Sequence, residues 1–174
     1  MVGPDGGTVT IYGVSLKLPP GAVLQKHQIT LTISCEARHQ PQLERNTALM
    51  SPVVSCEPHG LQFQKPVTLL MPHCACSFDN MTVLTSSTPL QAQTCWSEAE
   101  PEACTLSGVT KRDATLTFTH FSLYALVDCL CAGRVRAKVV RLVAFAPPLN
   151  SPDFFHLTVY CVNDYKDKVD SNGH

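Results

Sequence analysis

Apolar residues in this chain recur at every second position in short runs, and no long segment carries them at the spacing of a helix face. Ile29-Thr-Leu-Thr-Ile-Ser-Cys35 is the cleanest case, with Ile, Leu, Ile and Cys on one side of an extended backbone and Thr, Thr and Ser on the other. Thirteen prolines punctuate such runs, and each removes an amide donor that a helix or central ladder would need. Valine and threonine, which suit a pleated surface, fill them. The expectation is an all-β chain of short strands.

In chain order, Thr8 to Tyr12 and Val14-Ser-Leu-Lys-Leu18 read as strands, stopped at Pro19-Pro20-Gly21. Val53 to Cys56 is a short strand followed by a turn, Glu57-Pro58-His59-Gly60. Gln62 to Pro66 leads into Val67-Thr-Leu-Leu-Met71, a central strand ended by Pro72. Met81 to Leu84 and Cys95-Trp96 continue the meander, and acidic Ser97 to Gly108 reads as an exposed loop.

The strongest strand signal is Thr115 to Val127. Leu116 and Phe118 share one parity, whereas Phe121, Leu123, Ala125 and Val127 share the other, so a bulge or kink is expected between them. There the triplet His120-Phe121-Ser122 puts an imidazole and a hydroxyl on one side of an extended backbone, with the Phe121-Ser122 peptide between. Ser122 could attack the Phe121 carbonyl, with His120 moving the proton, in a single-turnover self-cleavage rather than enzyme turnover. An oxyanion donor is required, and a backbone amide on a neighbouring strand would serve. The bland alternative is that His120 and Ser122 are ordinary exposed residues of a strand end.

A net charge of −1 with 16% charged residues argues against a nucleic-acid partner. Nothing points to a small-molecule substrate or a cofactor. No apolar run reaches the roughly 20 residues of a membrane span, and the opening Met1-Val-Gly-Pro-Asp5 lacks a secretory pattern. Nine scattered cysteines suit a reduced cytoplasmic protein, most of them acting as small buried apolar groups. Zinc is a weaker reading: Cys56 with His59, and His73 with Cys74 and Cys76, lack the repeated two-residue gaps of a knuckle, so no metal ligand is assigned.

A change of character near Gly133 marks a boundary. We expect a first unit over residues 5–128, a connector over 129–136, and an incomplete second β unit over 137–174, with strands in Ala137 to Phe145 and around Phe155 to Cys161 and a frayed tail from Asn163. Two strands cannot make a domain, so the chain is expected to stop inside its second unit.

The set Gly6-Gly7-Thr8, Val14-Ser-Leu-Lys-Leu-Pro-Pro-Gly-Ala22, Ser51-Pro-Val-Val-Ser-Cys-Glu-Pro-His-Gly60, Pro66-Val-Thr-Leu69, His73-Cys-Ala75 and Ser122-Leu-Tyr-Ala-Leu-Val127 resembles the ZU-five domain of zonula occludens proteins, ankyrins and uncoordinated-five netrin receptors. Ala137 to Pro147 with Leu157 to Asp164 resembles the start of the UPA domain that follows it in the netrin receptors. The His-Phe-Ser triplet is similar to that of family members without a netrin-binding ectodomain. The resemblance implies a β-sandwich and a cytoplasmic scaffold of a death-domain protein coupled to NF-κB signalling. Its implied partners are proteins, including UPA and death domains of the full-length parent, with membrane association only through an anchor outside this chain. It raises self-cleavage at Phe121-Ser122, and it equally accommodates an uncleaved scaffold that holds its neighbouring domains closed.

Overall fold

The structure, a computed structural model, describes residues 1–90, 92–129, 137–146 and 157–165. No α-helix occurs among them. The strands are β1 (Gly7–Ile11), β2 (Val14–Leu18), β3 (Thr30–Ser34), β4 (Thr47–Leu49), β5 (Val53–Glu57), β6 (Gln62–Pro72), β7 (Met81–Ser86), β8 (Ser97–Glu98), β9 (Cys104–Val109), β10 (Asp113–His120), β11 (Leu123–Cys129), β12 (Val140–Phe145) and β13 (Thr158–Asn163).

Two antiparallel sheets form a β-sandwich. One has the order β1-β2-β6-β10-β9; the other runs β3-β5-β11-β7-β8, with β4 also paired to β11. The alternation in the sequence decides the inner faces. Val14, Leu16 and Leu18 of β2, Val67, Leu69 and Met71 of β6, and Ala114, Leu116 and Phe118 of β10 are buried and meet Leu31, Val54, Cys56, Tyr124 and Leu126 from the facing sheet.

The run from Thr115 to Val127 is not one strand, as the sequence suggested, but two strands in different sheets. The chain leaves β10 at His120, crosses the sandwich through Phe121 and Ser122, and enters β11 at Leu123. The parity slip is confined to Phe121. Leu116, Phe118, Tyr124 and Leu126 all face the main core, and Phe121 joins them out of phase, whereas Leu123 and Ala125 point outward to a satellite cluster with Val53, Leu49, Leu90 and Trp96. β11 is therefore buried on both faces, which explains its near-continuous apolar sequence.

Register shifts by three residues beside the crossing. Phe118 pairs with Val67 but His120 pairs with Gln62, and Pro66, with no amide to give the ladder, lies in the interruption. Other expectations need correction. Ser97 to Gly108 is largely strand, β8 and β9, because Cys104 is buried and Leu106 packs on the core despite the acidic composition between. Cys95-Trp96 precedes β8 rather than forming a strand, and β4 carried no clear alternation.

β12 and β13 form a separate two-stranded sheet in antiparallel register. It is tied to the sandwich by backbone bonds on both sides of an Ala75–Lys138 bridge: Val139 N–H to Cys74 O at 2.8 Å and Cys76 N–H to Ala137 O at 3.3 Å. Leu142 and Val159 on this sheet are exposed. Of the connector expected over 129–136, only Cys129 lies within the described residues, and Phe155 and residues 166–174 lie outside them; the tail expected to fray from Asn163 is instead held as far as Tyr165, with Asn163 ending β13 and Asp164 paired with Arg141 at 2.6 Å. No described helix is long and apolar enough to cross a membrane.

Candidate functional site at the sheet crossing

The crossing is held from three directions. From the turn between β5 and β6, the Gly60 amide donates to the Phe121 carbonyl at 3.1 Å, and the Phe121 amide donates to the Leu61 carbonyl at 2.9 Å. Both polar groups of the Phe121 backbone are thus fixed by two successive residues. From β5, the Cys56 amide donates to the Ser122 carbonyl at 3.2 Å. From the end of β7, the Ser122 hydroxyl donates to the Ser86 carbonyl at 2.6 Å and accepts from the Thr85 hydroxyl at 2.9 Å.

Apolar contacts complete the clamp. The Phe121 ring is 1% exposed and meets Phe63 edge-on, centroids 4.8 Å apart, with Phe118 at 6.3 Å. Tyr124 stacks on Phe118 at 4.4 Å and reaches back over the crossing to donate to the His120 carbonyl at 2.6 Å. Burial drives the Tyr124 phenol far above its ordinary pKa, with Cys56 and Cys104 adding to the shift. It remains a donor.

Sequence reasoning placed His120 and Ser122 together as exposed or reactive neighbours on one strand. The structure separates them in environment: Ser122 is 1% exposed, whereas His120 is half-buried at the end of β10. Among the described residues no hydrogen bond joins the two, because the hydroxyl is engaged by Thr85 and Ser86. The bland reading of Ser122 as an exposed strand-end residue is overturned by its burial. Gly60, Thr85, Ser86 and Tyr124 were not foreseen as site residues; Gly60 was visible only as part of a turn.

The turn also carries His59. Its Nε2 bonds the Ser87 carbonyl, so Nε2 holds the proton, and its buried Nδ1 has no partner among the described residues. Ser122 and His59 therefore fasten to adjacent residues, Ser86 and Ser87, at the same end of β7.

The residues weighed for zinc have other engagements. Burial pushes the Cys56 thiol far up, with Cys104 contributing, and the Cys74 thiol donates to the Met50 carbonyl at 3.3 Å. His73 gives its Nε2 proton to the Thr110 carbonyl at 2.9 Å and accepts the Ala75 amide at Nδ1, 3.2 Å. No cluster of three or more His, Cys, Asp or Glu side chains fit for a metal occurs among the described residues.

The order of the turns Gly6-Gly7, Pro19-Pro20-Gly21 and Glu57-Pro58-His59-Gly60 on a β-sandwich agrees with the matching family model, the ZU5 domain, which matches residues 1–86. Domains of this kind are protein-interaction modules. The chain is 32% identical over 155 residues, 87% of its length, to the UNC5C-like protein of Mus musculus. It is also 42% identical over 77 residues to the tight junction protein ZO-1 of Rattus norvegicus, and 41% identical over 76 residues to tight junction protein 1 of Mus musculus. The chain spans 29% of the mouse UNC5C-like protein and 4% of each tight junction protein.

Proposed function

We propose that the chain is the interaction module of a cytoplasmic death-domain signalling protein of the NF-κB type, and that it cuts its own backbone between Phe121 and Ser122. In this reading the ZU5-like unit covers residues 5–128, a connector covers 129–136, and residues 137–174 begin a UPA-like unit whose partners include the UPA and death domains of a longer parent. Similarity over most of the chain to the UNC5C-like protein supports the placement in that family.

The observation that carries self-cleavage is the position of the triplet. The Phe121-Ser122 bond is the link between two strands that belong to different sheets. Cutting it leaves β10 held by β6 and β9, and β11 held by β7, β5 and β4. Cleavage thereby acts as a switch in backbone continuity rather than as degradation. Chemically, Ser122 Oγ adds to the Phe121 carbonyl carbon while its proton passes to His120. The C–N bond breaks as that proton reaches the Ser122 nitrogen, and water hydrolyses the resulting ester to a Phe121 carboxylate and a free Ser122 amine.

One observation favours the second reading, an uncleaved scaffold that holds its neighbouring domains closed: the resting hydroxyl donates to the Ser86 carbonyl, not to His120. Denaturing intact mass spectrometry on freshly purified protein separates the two. Self-cleavage gives two masses, the second fragment beginning Ser122-Leu123-Tyr124, and Ser122→Ala gives one. A single full-length mass for both chains refutes self-cleavage and leaves the scaffold.

A further inference from the structure

We infer that the Gly60 amide is the oxyanion donor of the reaction at Phe121-Ser122, an assignment that rests on the self-cleavage reading above. When Ser122 Oγ bonds to the Phe121 carbonyl carbon, the carbonyl π electrons move onto the Phe121 oxygen. That oxygen already accepts the Gly60 N–H at 3.1 Å. A donor aimed at the atom where charge develops lowers the barrier if its bond shortens as the charge grows, and 3.1 Å in the neutral ground state leaves room for that shortening.

The donor is preorganised by the turn that carries it. Leu61 N–H donates to the Pro58 carbonyl at 3.1 Å and closes the turn, while the Leu61 carbonyl accepts the Phe121 amide at 2.9 Å. The Phe121 backbone is therefore bracketed, and its ring is anchored against Phe63, so little reorganisation remains when the carbonyl becomes tetrahedral. Gly60 sits at φ 75°, a conformation that favours glycine, and a Cβ built there would meet no atom within 4 Å. The function assigned to this glycine belongs to its N–H, not to space around its α-carbon.

The test replaces Gly60 by glycolate in the full chain, turning the amide into an ester and deleting only the N–H. Loss of one oxyanion donor slows such reactions about 100-fold to 1,000-fold, and a slowing of at least about 30-fold is expected in a chain that keeps its circular dichroism spectrum. A rate within about threefold of the unmodified chain overturns the assignment while leaving self-cleavage standing. Absence of cleavage in the unmodified chain refutes the underlying reading and the assignment with it. Independently of whether the ester folds, a carbonyl-13C label at Phe121 in Ser122→Ala should give an infrared band shifted down by hydrogen bonding, and a band typical of a free buried carbonyl would also overturn it.

Discussion

Tyr124 staples the crossing shut, and two substitutions separate the parts of that contact. Tyr124→Phe removes only the hydroxyl that donates to the His120 carbonyl at 2.6 Å, while the stack on Phe118 remains. A net hydrogen bond contributes about 0.5–1.5 kcal/mol, and an acceptor left partly unsatisfied adds to the loss, so a destabilisation of about 1–2 kcal/mol is expected. For a chain of this length that lowers Tm by about 2–8 °C. Tyr124→Ala also empties a site whose occupant is 1% exposed, and truncating a buried aromatic side chain costs about 3–5 kcal/mol. Both are measured by thermal unfolding in a Ser122→Ala background, which removes the hydroxyl of the proposed cleavage. A Tyr124→Phe chain melting within about 1 °C of its parent would show that the hydroxyl does not restrain the crossing, and the argument for a built clamp would fail.

His73 is buried with both ring nitrogens engaged as a neutral imidazole, and burial lowers its pKa from 6.5 against smaller opposing effects of the Thr110 carbonyl and Asp113. The unfolded chain therefore takes up the proton first: the contribution is complete above pH 6.5 and is lost as pH falls toward the lowered folded value. Urea midpoints at pH 7.5 and 5.5 should fall less for His73→Gln than for the unsubstituted chain, and equal falls would refute the assignment. Cys56, Cys74 and Cys104 are buried, with burial raising all three thiols and bringing Cys104 to about 12, whereas Cys35, Cys76, Cys95, Cys129 and Cys161 are exposed. Because the thiolate is the reactive form, brief alkylation of native protein at pH 8 should, among the eight described cysteines, label the exposed five and leave the buried three until urea is added; native labelling of Cys56 would contradict the packing.

Alternation at Val14 to Leu18, Ile29 to Cys35 and Val67 to Met71 was enough to establish an all-β chain and to identify the core faces of β2 and β6, because a two-residue period is a local property of extended backbone; in β3 the pattern fails at its end, where Ser34 is buried and Cys35 exposed. The turns at Pro19-Pro20-Gly21 and Glu57-Pro58-His59-Gly60 were legible for the same reason: proline and glycine limit φ wherever they stand. The ordered motifs pointed to the ZU5 domain that residues 1–86 match. Those are the determinations the amino-acid order makes unaided.

Which sheet each strand joins is a different kind of fact. Phe121 looks like one more apolar residue of a long strand, and only packing against Phe63 and Phe118 turns it into the pivot between two sheets. Strand β9 hid behind acidic residues because its stability comes from pairing with β10, not from its own pattern. Gly60 lies 61 positions before Phe121 in the chain, and Ser86 lies 36 positions before Ser122. No local preference encodes those hydrogen bonds. Partners so distant in sequence meet only because burying the apolar faces of both sheets brings the turn, the end of β7 and the crossing to one place, where a buried amide or hydroxyl left without a partner is costly.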